Sequence, residues 1–138
     1  MKVYIAGRLG EKQERDLLEE IDSFCKELGF ETYLPHRDTG LAKGIEDTER
    51  IFRKDILEAF KDCKLIIAVL DGLHVGSGTA WELGYAYAKG IPAIGIKKDE
   101  STAEGFEYLG PILIGAMPIV DSLDKLKKKI KEITNQRV

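Results

Sequence analysis

Six consecutive apolar residues, Leu65-Ile66-Ile67-Ala68-Val69-Leu70, run through the middle of the chain without alternation. A strand with one wet face alternates apolar and polar side chains, so a run that does not alternate must be covered on both faces. The run is too short for an ordinary buried helix and suits a central parallel strand. Such a strand needs helices above and below it, and right-handed crossovers to bring its neighbours alongside.

The rest of the chain supplies that alternation. Val3-Tyr4-Ile5-Ala6, closed by Gly7, reads as the first strand. Residues 11–28 place Leu17, Leu18, Ile21, Phe24, Cys25 and Leu28 on one helical stripe, with Gly29 at the stop. Residues 30–34 read as a second strand ending at Pro35, followed by a polar stretch over 37–43 and a helix over about 47–62. After the central strand come a Gly-rich turn, a helix over about 79–89 and a strand over 92–96. A less regular segment spans 100–116, before a short strand over 117–120 and a Lys-rich closing helix from Ser122. The expected architecture is an α/β three-layer sandwich of flavodoxin-like or Rossmann-like type. It has a five-stranded parallel sheet in the order 2-1-3-4-5 and forms one domain over residues 1–138. Ligands in such sheets bind beyond the carboxyl ends of the strands, where strands 1 and 3 part, between the loops after Ala6 and Leu70.

Charge narrows the partners. Against 21 Lys and Arg stand 24 Asp and Glu, a net charge of −3. Without a basic excess, neither a nucleic-acid polymer nor a membrane surface is expected as partner. No secretory leader pattern opens the chain, and no apolar run approaches the roughly 20 residues that span a bilayer. Cys25 and Cys63 sit singly in what read as helical patterns, and are expected as buried thiols in a reducing cytoplasm. His36 and His74 are too few and too distant for a ligand set, so no metal and no other cofactor is expected.

Four features bear on chemistry. The turn Asp71-Gly72-Leu73-His74-Val75-Gly76-Ser77-Gly78-Thr79 leaves the central strand and enters a helix. Its converging N–H groups suit an anion or a sugar oxygen, and equally its glycines suit close packing alone. Glu82 is the only charge between Thr79 and Lys89, in a helix that reads as buried nearly all round. Either it closes a capping box on Thr79, or it faces the crevice at the strand ends. Asp55 falls at the edge of the stripe formed by Phe52, Ile56, Ala59 and Phe60, and can face the same crevice. Its plainer reading is an Asp paired with Arg8, Arg53 or a lysine. Paired carboxylates in one pocket are the apparatus of glycosidic chemistry. Tyr4, where Val or Ile would pack better, needs a partner for its hydroxyl, and a backbone carbonyl would serve.

These residues resemble a known family. The start Val3-Tyr4-Ile5-Ala6-Gly7, the segment Arg53-Lys54-Asp55-Ile56 and the strand from Leu65 to Asp71 are similar to nucleoside 2-deoxyribosyltransferases, which include deoxynucleoside 5′-phosphate N-hydrolases. Most specific are Gly76-Ser77-Gly78-Thr79-Ala80-Trp81-Glu82-Leu83-Gly84-Tyr85-Ala86 and Lys89-Gly90-Ile91-Pro92. The resemblance implies Glu82 as the nucleophile on the sugar C1′. It further implies that Asp55 orients or protonates the leaving base, and that Tyr4 bonds near the nucleophile. A nucleoside or nucleotide as substrate, and a homodimer or larger homo-oligomer, are implied as well. The chain departs from the family at the sugar's 5′ end. Transferases carry an acid six residues before the nucleophile, and the phosphate-specific hydrolases carry a Ser; here the residue is Gly76. Arg8 stands where those hydrolases have Ser after the strand's glycine. Gly7, Arg8, Gly76, Ser77 and Gly78 are therefore the expected substrate-binding residues, and Arg8 with the Ser77 and Gly78 N–H groups suits a 5′-phosphate.

Three other readings compete. Gly78-Thr79-Ala80-Trp81-Glu82 fits the end of a GGxGTxxE phosphoribohydrolase grip, but the leading Pro-Gly-Gly is absent. A receiver-like signalling module would use Asp71, yet Ala6-Gly7-Arg8-Leu9-Gly10 lacks the acidic pair that holds its Mg²⁺. A nucleotide-binding module without chemistry is the third.

Overall fold

The computed structural model describes residues 1–135. Five strands, β1 (Lys2–Ala6), β2 (Glu31–Tyr33), β3 (Cys63–Val69), β4 (Ala93–Ile96) and β5 (Ile119–Val120), form one parallel sheet. Their order is β2-β1-β3-β4-β5, as the strand–helix alternation predicts. β3 pairs on both sides, with Tyr4 opposite Ile66 and Ile67 opposite Ile94.

Strand alternation splits the core in two. Val3, Ile5, Leu65, Ile67, Ile94 and Ile96 face α1 (Lys12–Glu27) and α6 (Leu123–Asn135), meeting Leu18, Ile21, Cys25, Leu126 and Ile130. Tyr4, Ala6, Ile66 and Ala68 face the other layer. That layer contains α3 (Thr48–Phe52), α4 (Ser77–Ala88) and α5 (Phe106–Ala116). Ala6, Ala68 and Gly95 stand in register across three strands, a row of small residues beneath that second layer. Gly7 follows β1 at a close approach to Leu18 and Val69. A Cβ there would lie 2.9 Å from Leu18 Cδ2 and 3.3 Å from Val69 Cβ.

Several local expectations need correction. The polar stretch after Pro35 holds a short helix, α2 (Pro35–Asp38), with Pro at its first turn and Asp38 capping the Leu34 N–H at 2.9 Å. The helix expected over 47–62 is not continuous. A 3₁₀ turn (Ile45–Asp47) precedes α3, and a π-helical turn (Arg53–Glu58) follows it, marked by the Ala59 N–H bonding to Lys54 O at 2.9 Å. Phe52, expected on the core stripe, is half-exposed as a result, because the wider π turn breaks the 3.6-residue spacing to Ile56. Cys63 opens β3 and is not helical, although both cysteines are free and buried as expected. Residues 100–116 contain α5, kinked where Gly110 takes φ 81° ahead of Pro111.

The largest correction concerns α4. It begins at Ser77 with Gly76 as its extended N-cap, two residues before Thr79, so the Thr79–Glu82 capping box does not form. Nor is this helix buried all round: Trp81 is 52% exposed and Tyr87 73% exposed, with Gly84 and Ala88 uncovered beside them. The i, i+3, i+6, i+7 spacing groups these residues on one side of the helix, where among the described residues they stay largely exposed apart from the edge contact of Trp81 with Phe52.

Candidate active site

A cavity of about 660 Å³ opens beyond the carboxyl ends of β1 and β3, the crevice that the strand order designates. Gly7 and Arg8 reach it from the end of β1, Gly76, Ser77 and Gly78 from the start of α4, and Asp55 and Glu82 from the two helices behind. Every expected site residue except Tyr4 lines this cavity. Tyr4 is fully buried below it, and its hydroxyl donates a hydrogen bond to Glu82 Oε2.

Each carboxylate is placed by a different device. Glu82 sits in the second turn of α4, aimed at the sheet between Leu83 and the buried Thr79. Burial pushes its carboxyl up to about 7. The Tyr4 hydrogen bond opposes that rise and the Asp55 charge adds to it. Tyr4 itself is held neutral, its pKa raised first by burial and then by the Glu82 and Asp55 charges. The Tyr4 ring stacks on Phe60, at 4.5 Å and 24°, and on Tyr33, at 5.7 Å and 7°.

Asp55 lies on the π-helical turn, a feature that recurs at functional sites because it turns one side chain out of the helical series. Burial raises its pKa. The Thr39 hydroxyl, donating to Oδ1 at 2.6 Å, and the Arg50 charge oppose that rise. No Arg8, Arg53 or lysine ion pair to Asp55 forms among the described residues. Arg8 instead donates to His74 O at 2.8 Å and lies 3.5 Å from Glu14, while Arg53 pairs with Glu49 at 3.0 Å.

The 5′-side departure has a geometric counterpart. A Cβ at Gly76 would point at the Arg8 side chain, 3.5 Å from its Cγ. The Nη2 donors of Arg8 find no protein partner among the described residues.

Some of the cavity's walls are invisible in the sequence. Phe52 and Trp81 meet edge to face at 5.6 Å on the cavity's apolar side, and Trp81 stacks at 5.7 Å on Tyr85. Aromatic spacing on the two helices is the one available signal, and it reads equally as core. Lys97, only 1% exposed, donates to Leu70 O at 3.3 Å and Gly72 O at 3.2 Å and pairs with Asp99 at 2.8 Å. It ties the end of β4 to the turn that carries Gly76. Asp71 accepts from the Lys98 and Asp99 N–H groups in the same lacing, at 2.6 and 3.3 Å.

Among the described residues, no group of three or more His, Cys, Asp or Glu side chains could hold a metal ion, and no helix is long and apolar enough to cross a membrane. Solved structures share the fold. A conserved protein from Enterococcus faecalis V583 superposes with a TM-score of 0.72 at 24% identity, covering 100% of this chain and 99% of its own. A 2-deoxyribosyltransferase from Bacillus psychrosaccharolyticus gives 0.74 at 17%, covering 92% of this chain and 90% of its own. A CMP N-glycosidase from Clostridium botulinum gives 0.59 at 23%, covering 95% and 98%. A search of curated protein sequences finds no match. The family model for nucleoside 2-deoxyribosyltransferase matches residues 3–130, nearly the whole sequence, and the chain belongs to that family.

Proposed function

We propose that the protein cleaves or transfers at the N-glycosidic bond of nucleosides, 2′-deoxy or ribo, or of their 5′-monophosphates, through a covalent glycosyl-enzyme on Glu82. The observation that carries this reading is the pair Glu82 and Asp55: two carboxyl groups on one cavity, each with its pKa raised by burial and each held by one hydroxyl. Ionised Glu82 attacks C1′ and forms the new C–O bond while the C1′–N bond breaks. Its electron pair goes to the base nitrogen, which takes the proton of Asp55. Tyr4 holds Glu82 by one oxygen, leaving the other to react. Water then releases the sugar, or a second base accepts it. Incubation with a panel of deoxynucleosides, ribonucleosides and 5′-monophosphates, with free base measured, tests the reading. No base release from any of them would remove it.

At the sugar's 5′ end the proposal is a phosphate. Gly76 offers no acid to hold a free hydroxyl, and Arg8 with the Ser77 and Gly78 N–H groups at the start of a twelve-residue helix offers donors to an anion. Charge-assisted bonds of this kind contribute roughly 1.5–3 kcal/mol each. The monophosphate is therefore expected to have the higher kcat/KM. Arg8→Ala is expected to erase the difference mainly through KM, since the contact is equal in ground and transition states. A clear preference of the parent protein for the unphosphorylated nucleoside would reject the phosphate site.

The stripe of Trp81, Gly84, Tyr87 and Ala88, largely exposed among the described residues, supports a homodimer or larger homo-oligomer, with a second copy seated on α4 next to the cavity. Sedimentation equilibrium is expected to give an assembly that Tyr87→Glu breaks. A strictly monomeric parent at assay concentration would reject it. The buried free thiols fit a reducing, cytoplasmic setting.

A further inference from the structure

Tyr4 and Tyr33 occupy paired positions on adjacent strands, Tyr4 opposite Tyr33 in the β1–β2 register, with their rings parallel. Each phenol serves one of the two carboxyl groups. Tyr4 reaches Glu82 directly. Tyr33 reaches Asp55 through Thr39, its hydroxyl meeting Thr39 Oγ1, which in turn lies 2.6 Å from Asp55 Oδ1. One proton per hydroxyl sets the direction of the chain. With Asp55 ionised, Thr39 donates its only proton to Oδ1, and Tyr33 is then the donor to Thr39.

We propose that Thr39, backed by Tyr33, is a positioning residue that reserves Asp55 Oδ1 for the hydrogen-bond chain and so confines the transferable proton to Oδ2. Oδ2 has no protein partner among the described residues and is not sealed from solvent, and Asp55 lines the cavity. A carboxyl proton on Oδ1 requires the chain to reverse, which leaves the Tyr33 hydroxyl proton without a protein acceptor among the described residues; a proton on Oδ2 keeps the chain intact and meets the leaving base. In the step, the Oδ2–H bond breaks, the base nitrogen gains that proton together with the C1′–N electron pair, and Asp55 is left ionised. Thr39 then holds the carboxylate that results.

Thr39 is itself fixed from three directions. It ends α2 with its N–H on Pro35 O at 2.9 Å, Arg50 Nη1 donates to its carbonyl at 3.0 Å, and Asp38 and Arg37 brace the same short helix. The groups that bear on Asp55 are Glu82 from α4, Tyr4 and Tyr33 from the sheet, and Arg50 from α3. Of these, Arg50 lowers the cost of its charge, while the Asp55 charge raises the Glu82 pKa in turn. Thr39 supplies the hydrogen bond that favours the ionised form.

The inference rests on the donor role of Asp55, and its test separates the two. Thr39→Val keeps the shape and removes the hydroxyl; Thr39→Ser restores it. Base release is measured with a poor and a good leaving base, and the Asp55 carboxyl is titrated by carbon-detected NMR in each folded variant. Thr39→Val is expected to lower kcat by about ten- to a hundred-fold with the poor leaving base, with much less loss for the good one and little change in KM. The Asp55 titration is expected to move to higher pH, and Thr39→Ser to return both readings towards the parent. An unmoved Asp55 titration in Thr39→Val overturns the inference whatever the activity. So does a loss that is equal for both bases, or one that Ser fails to rescue. Asp55→Asn indifferent to the leaving base, beside a shifted titration in Thr39→Val, would instead remove the donor role and with it the catalytic part of the inference.

Discussion

Glu82→Gln is expected to abolish base release and, at pH 8, to leave the folded protein more stable than its parent. Both effects follow from one buried carboxyl. In the folded chain burial raises its pKa from 4.5 to about 7. Between those values the native state keeps a proton that the unfolded chain has released, so stability falls as pH rises through that window. Above about pH 7 the full cost is present. At about 1.4 kcal/mol per pH unit its ceiling is roughly 3 kcal/mol, and partial solvent access reduces it to about 1–3 kcal/mol. Gln keeps the size, stays neutral at every pH and still accepts the Tyr4 hydroxyl through its carbonyl. The capping-box expectation has the opposite sign, a small loss of stability, but α4 starts too early for that box to exist. Turnover is expected to fall by roughly 10⁴–10⁶-fold, because a neutral amide does not attack C1′. Urea unfolding of both proteins at pH 5 and pH 8, alongside base release, checks the pair of effects. Stabilisation equal at the two pH values, or activity retained by the folded variant, would remove Glu82 as a buried nucleophile.

The contrast between Glu82 and Thr39 shows what one sequence makes legible. A lone charge among Ala, Leu, Gly and Tyr is conspicuous because burying it is costly, so Glu82 stands out from the residue pattern alone. The central strand is equally plain, since unbroken β-branched and aliphatic residues have few other uses. Asp55 is half legible. Regular helical spacing puts it at the edge of the core, but the π turn that delivers it to the cavity has no signature in the residue pattern. Phe52 is misplaced by that spacing for the same reason. Thr39, Tyr33 and Lys97 are not legible at all. Each looks like an ordinary polar or aromatic residue locally, and acquires its role from partners that lie 16, 6 and 27 positions away along the chain. The start of α4 is misjudged by residue type because Thr79 is the better capping residue, whereas the extended Gly76 backbone decides where the first helical turn closes.

Asp55→Asn is expected to separate proton donation from placement. Asn has nearly the shape of Asp and its carbonyl still accepts the Thr39 hydroxyl, so the hydrogen-bond chain from Tyr33 survives and the fold should change little. What is lost is the carboxyl proton. A purine or pyrimidine leaving as an anion is a poor leaving group, and protonation of its ring nitrogen as the bond breaks is worth about 10²–10⁴-fold in rate. Burial raises the Asp55 carboxyl from its ordinary value and the Asp55 charge raises Glu82, so the two groups titrate as a pair. The parent is therefore expected to show a pH–rate profile with two limbs, one for loss of the Glu82 carboxylate and one for loss of the pair's proton. Asp55→Asn is expected to flatten the alkaline limb, since no proton remains to be lost there. With a substrate whose base departs readily without protonation, the defect is expected to shrink by one or more orders of magnitude. Steady-state rates for a poor and a good leaving base across pH 5–9 decide between the roles. A loss independent of the leaving base, with the alkaline limb intact, would mean that Asp55 only orients the substrate and that the proton reaches the base from solvent.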